Sequence, residues 1–202
     1  MSADTGKRNE TTSKSVLDVI EEWYSVPSLL VIFIAMLAMR LQSYNSFIRG
    51  GEIYFSGNDG WYHYREVMYT VQNWPSTMPF DPWTYYPYGT FVGQFGTLYD
   101  QIVATAALIV GLGSPSPELV GKTLLIAPAI GGALAVIPVY FIGKRLSGRV
   151  AGLFGAIVLL LLPGSFLSRT LAGVTDHNAI EPLAMILAIA SFVVAFQKAK
   201  AT

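Results

Sequence analysis

The chain has 202 residues, 52% of them hydrophobic and 13% charged, and its 13 basic and 13 acidic residues give a formal net charge of +0. A mean hydropathy of +0.47 places it with membrane proteins, since soluble domains carry about 25% charged residues. The balanced charge offers no basic footprint for nucleic acid, and the lack of cysteine excludes disulfides, thiolate catalysis and cysteine metal sites, leaving His63 and His177 as the only imidazoles.

Residues 1–26 are polar and mixed in charge, unlike a cleavable secretory leader, and read as a cytosolic tail. Four apolar runs follow that approach the ~20 residues needed to cross ~30 Å of hydrocarbon. They extend over 27–43, 119–142, 150–167 and 179–196, and Pro128 and Pro138 predict kinks in the second. A fifth run, Ile102 to Leu112, covers only about half the hydrocarbon thickness at ~1.5 Å per residue and reads as interfacial or re-entrant. The fold class is therefore an all-α polytopic membrane protein with about four spans. Lys144, Arg145 and Arg149 cluster in one loop and Lys198 and Lys200 follow the last span, which puts both groups on the cytoplasmic side. Residues 44–118 and 168–178 then become external loops.

The long loop carries a stretch after Asp59 that fits a surface helix, then a segment rich in turn formers and aromatics. Trp61, Tyr62, Tyr64, Trp74, Trp83, Tyr85, Tyr86 and Tyr88 suit either stacking on sugars or an aromatic belt at headgroup level. Asp59 and Asp176 each stand at a predicted helix start, where an ionised carboxylate is favoured. Together they would make a hard-oxygen site for magnesium or manganese. The same residue types are also ordinary helix caps, and Asn178 with Glu181 resembles a capping box opening the last span. His177 is a candidate ligand or base, although side chains of neighbouring residues diverge on a regular helix. His63 lies within an aromatic run and reads as structural. Arg65 and Arg169 suit forked contacts with phosphate; for Arg65 the alternatives are snorkelling or an ion pair with Glu66 or Glu52.

The stretches GNDGWYHYR (57–65), PFDPWTYYPYG (79–89) and SRTLAGVTDHNAIEP (168–182) resemble the N-terminal region of the archaeal oligosaccharyltransferase catalytic subunit family, over almost the whole chain after the tail. Gly57, Asn58 and Asp59 match the family's first acidic motif. Ser168, Arg169, Ala172, Gly173 and Asp176 match the second, with Asn178 standing where Asp, Glu or His is usual. The resemblance implies transfer of a dolichyl-linked glycan to the asparagine of an Asn-X-Ser/Thr sequon at the external face of the cell membrane. It implies a divalent cation, magnesium or manganese, on Asp59 and Asp176, with Asn178 and His177 as further candidate ligands. Family members carry more spans and a C-terminal globular domain, so the chain reads as a fragment. The rival readings are another polyprenyl-phosphate-sugar glycosyltransferase, and a non-catalytic membrane subunit or transporter. The sequon at Asn9 falls in the predicted cytosolic tail and is read as chance.

Overall fold

The computed structural model describes residues 16–201; the Asn9 sequon lies outside them. Eight α-helices form its body: α1 Val16–Leu41, α2 Gly57–Gln72, α3 Leu98–Val110, α4 Pro117–Leu134, α5 Val136–Ser147, α6 Arg149–Leu161, α7 Ser165–Arg169 and α8 Glu181–Ala201. Two small antiparallel hairpins, β1 (Ile48–Arg49) with β2 (Glu52–Ile53) and β3 (Phe80–Asp81) with β4 (Thr90–Phe91), shape the segments flanking α2.

Among the described residues, three helical stretches are long and apolar enough to cross a membrane: Trp23–Phe47, Pro117–Ser147 and His177–Ala199, with mean hydropathies of 1.9, 2.2 and 2.2. Helix α1 already begins at Val16, so residues 16–26, assigned from sequence to the tail, are helical and Pro27 sits inside the helix. In the second stretch the break falls at Ala135, between α4 and α5. Pro138 has no N–H for the carbonyl of Leu134, so the ladder is interrupted one turn before the proline. Pro128 is absorbed within α4 without a break.

The third predicted span is shorter than its apolar run. Helix α6 stops at Leu161 because Leu162 precedes Pro163 and turns extended (φ −65°, ψ 113°), after which Gly164 at φ +95° redirects the chain into α7. Its 13 residues cover about 20 Å. Helix α3, also 13 residues, contains most of the fifth apolar run but starts earlier, at Leu98. Gly148, at φ +89°, joins α5 to α6 in one residue and lets them pack as an antiparallel pair.

Two apolar clusters hold these elements. Ile32 and Met36 of α1 meet Ala133, Val136 and Ala156 in one; Val67 of α2, Val103 and Ala107 of α3, and Val120 and Leu124 of α4 form the other. The second cluster fixes α2 against the bundle end and so sets where its polar face points.

Arg40, placed by sequence within the first span, is fully buried near the end of α1. Its Nε donates to Thr170 Oγ1 at 2.8 Å, Nη1 to the Met36 carbonyl at 3.3 Å, and its guanidinium lies 5.0 Å from the Phe166 ring centre. The Arg40 carbonyl accepts from the Ala172 amide at 2.9 Å and Ser43 Oγ donates to the Ala172 carbonyl at 2.7 Å. Helix α1 thereby anchors the short loop that carries Asp176.

Candidate functional site: a cleft between α2 and the 168–178 loop

The 168–178 loop is held by backbone contacts to three parts of the fold. Besides its ties to α1, the Gly173 amide donates to the Leu125 carbonyl (2.9 Å), the Gly173 carbonyl accepts from the Ser56 amide (3.1 Å), and Thr175 Oγ1 donates to the Leu124 carbonyl (3.4 Å). Because Ser56 immediately precedes α2, the same bonds that shape the loop position the start of α2 beside it. Helix α2 turns His63, Glu66, Val67 and Thr70 inward at helical spacing.

Between these elements lies a cleft of 480 Å³ whose lining includes Asp59, Tyr62, His63, Arg65, Trp83 and His177. Asp59 stands in the first turn of α2 on the exposed rim. Asp176 precedes a short 3-10 turn, His177–Ala179, and is itself the cap: its Oδ1 accepts from the Asn178 amide at 3.2 Å. The sequence-based assignment of Asn178 as the cap is thus corrected. Asn178 lies inside the turn, and its side-chain amide donates to Asp176 Oδ2.

Asp176 is extended (φ −156°, ψ 150°), so the divergence expected of neighbours on a regular helix does not apply. His177 Nδ1 comes within 2.9 Å of Asp176 Oδ1. His63 Nε2 approaches the same oxygen at 3.7 Å and His177 Nδ1 at 3.4 Å. His63, Asp176 and His177 form a group whose donor atoms converge closely enough for one metal ion; Asp59 shares the cleft but is outside that group.

His63 is 1% exposed and its Nδ1 lies 2.7 Å from Oδ1 of Asp100, on α3. Burial disfavours its charged form, but hydrogen bonds to Asp100 and Asp176 win and raise its pKa to about 9. Burial likewise works against ionised Asp176, yet hydrogen bonds from His63 and Asn178 hold its carboxyl far below the usual range. Sequence reasoning missed Asp100. Its helix reads as a short apolar segment, and only the polar residue in its first turn could have drawn attention.

Arg65 finds a partner other than the two considered from sequence. Its Nη2 reaches Asp81 Oδ2 at 2.5 Å and Thr84 Oγ1 at 3.2 Å, while Asp81, fully buried, also accepts from the Trp83 amide. This bond joins α2 to the segment after β3 and presents Trp83, Tyr85, Tyr86 and Tyr88 outward, each more than two-thirds exposed. Arg169 is exposed at the end of α7.

Glu66 is 1% exposed and neither carboxylate oxygen has a hydrogen-bond partner. Burial, then the charges of Asp100 and Asp81, lift its pKa from 4.5 to about 7. A folded-state pKa above the unfolded one means that the folded form keeps a proton the unfolded form releases, so stability falls as pH rises from 4.5 through 7. Glu66→Gln is expected to abolish this fall, which amounts to about 3 kcal/mol. Thermal midpoints recorded across that pH range test it; parallel curves for the two proteins would contradict it.

Taken together, apolar helices of membrane-spanning length and a polar cleft at the end of the bundle define a helical membrane protein with a built site of carboxylate and imidazole groups. The N-terminal profile of the oligosaccharyl transferase STT3 matches residues 29–201, and the chain belongs to that family. Over 183 residues it is 60% identical to the dolichyl-monophosphooligosaccharide–protein glycotransferase AglB of Haloferax volcanii, covering 91% of this chain and 17% of the relative. It superposes with a TM-score of 0.78 and 30% identity on the Archaeoglobus fulgidus oligosaccharyltransferase AglB solved with an inhibitory peptide and a dolichol-phosphate, covering 88% of this chain and 20% of that one. An A. fulgidus oligosaccharyltransferase solved with zinc and sulfate gives a TM-score of 0.76 at 32% identity, with 84% and 21% covered. The chain therefore spans about a fifth of the length of the relatives it matches.

Proposed function

We propose that this chain forms the N-terminal part of a transferase that moves a dolichyl-linked oligosaccharide onto the asparagine of Asn-X-Ser/Thr sequons, with its cleft on the external face of a four-span segment. The observation that carries the reading is the convergence of α2 and the 168–178 loop, far apart in sequence, on one polar cleft. The names of the relatives, and the dolichol-phosphate in one neighbouring structure, support the donor class.

In this reading Asp176 and Asp59 hold a divalent cation, magnesium or manganese, with His177 and Asn178 adjacent, and the carboxylate oxygens are the hard donors that such an ion takes. The cation would supply charge neutralisation for the departing lipid-linked phosphate. An amide nitrogen is a weak nucleophile, so the residues must orient it and favour the positive charge it develops. Asp59 on the rim of the cleft and Asp176, beside the His177 that lines it, do both. Arg169, exposed beside the loop, forks onto phosphate oxygens. Arg65, engaged with Asp81, acts through the wall it holds: Trp83 and Tyr85 border the acceptor's path.

A chimera in which this chain replaces the matching segment of the H. volcanii relative provides the test. Offered peptides with an asparagine sequon and peptides with only serine and threonine, it is expected to glycosylate the asparagine alone. Transfer to the hydroxyl peptides would favour the rival polyprenyl-phosphate-sugar enzyme, and no transfer to either would favour the non-catalytic reading.

A further inference from the structure

Nε2 of His63, Nδ1 of His177 and Oδ1 of Asp176 form a triangle with sides of 2.9, 3.4 and 3.7 Å. A point equidistant from three atoms so spaced lies about 2.0 Å from each, which is the bond length of an imidazole nitrogen or carboxylate oxygen to a borderline divalent ion, ~2.0–2.2 Å. The carboxylate is already aimed, because Asn178 donates to both of its oxygens.

His63 is aimed as well. Its Nδ1 faces Asp100, so with that carboxylate accepting Nδ1–H, a cation entering the triangle needs only to displace the Nε2 proton to meet a lone pair already directed at it. Metal-ligating histidines are held in this way by a carboxylate behind the ring. The ring centre lies 5.1 Å from Tyr99 on one side and 5.1 Å from Tyr62 on another, both edge-on, and these contacts keep the ring in this orientation.

We propose that His63 is a direct nitrogen ligand of the cation at Asp176, that Asp100 is the positioning residue behind it, and that the site takes zinc in preference to magnesium. The proposal rests on the reading that Asp176 holds a cation and extends it, because neither His63 nor Asp100 is among the ligands implied by the sequence motifs. Imidazole suits zinc, whereas magnesium favours oxygen ligands in a near-ideal octahedron and retains several waters.

The test uses the chain in lipid nanodiscs with 15N-labelled histidine, loaded with Mn2+ and examined by pulsed electron paramagnetic resonance. A histidine-nitrogen coupling to the metal is expected in the native chain and in His177→Gln, where only His63 can supply it, and is expected to vanish when His63→Gln is added to His177→Gln. Asp100→Asn should weaken Mn2+ binding about 10–100-fold. Zinc should displace the bound manganese at concentrations where magnesium does not. Mn2+ bound by His177→Gln without nitrogen coupling would overturn the role of His63 while leaving the cation at Asp176 intact. Magnesium competing as well as zinc would overturn the preference. Mn2+ binding no stronger than in Asp176→Asn would overturn both the inference and the cation reading beneath it.

Discussion

Asp176→Ala is expected to lower glycan transfer by the chimera at least ~100-fold and to cost the fold more than the ~1 kcal/mol of a lost cap, because the ionised carboxylate that His63 and Asn178 stabilise goes with it. The side chain has two tasks. As a cap it accepts the Asn178 amide, an interaction whose loss carries the usual modest penalty. As a charge it is the group on which both imidazoles converge, at 2.9 and 3.7 Å, and nothing else in the loop can replace it. Asp176→Asn sharpens the distinction. Its amide oxygen can still cap the turn, so the midpoint of thermal unfolding should lie above that of Asp176→Ala, but the charge is gone and transfer should remain lost. Asparagine retaining transfer would mean that Asp176 acts only as a cap.

Gly173→Ala is expected to destabilise the chain by roughly 3 kcal/mol or more. Gly173 has φ +89°, a conformation L side chains rarely adopt, and an added Cβ would sit 2.2 Å from the ring of Phe47. The backbone cannot swing aside to relieve the clash, because both its amide and its carbonyl are bonded, to Leu125 and Ser56. Those bonds are the join between the loop and α2, so transfer should fall along with stability. Gly113→Ala provides the control. It has the same φ of +89° but open space around the added Cβ, so it should show conformational strain alone, about 1 kcal/mol. Equal unfolding midpoints for the two variants would remove the case for a clash at Gly173.

What the sequence made legible follows from how local each signal is. Asp59 and Asp176 stand out because each opens a helical element within a short polar stretch, and the expectation that they meet rests on an argument about which loops share a face. Apolar length located the long helices, but not where proline stops them. Pro163 truncates α6 and Pro138 breaks its helix one turn upstream, effects of a missing N–H and a steric restriction on the preceding residue. The pairings of His63 with Asp100 and Arg65 with Asp81 were beyond reach: each joins residues on different elements, and the chain between them gives no periodic cue. Arg40 was hidden for a similar reason, since its partner Thr170 lies 130 residues away along the chain.

The reading depends most on Asp59 and Asp176 acting as one unit although one lies on the rim and the other within the converging donor group. Transfer rates to a sequon peptide for Asp59→Asn, Asp176→Asn and the double variant, all in the chimera, address this most directly. Groups that serve a single site are strongly non-additive, so the double variant should be no slower than the worse single variant. Losses that multiply, or a single variant that transfers at the native rate, would contradict a shared site.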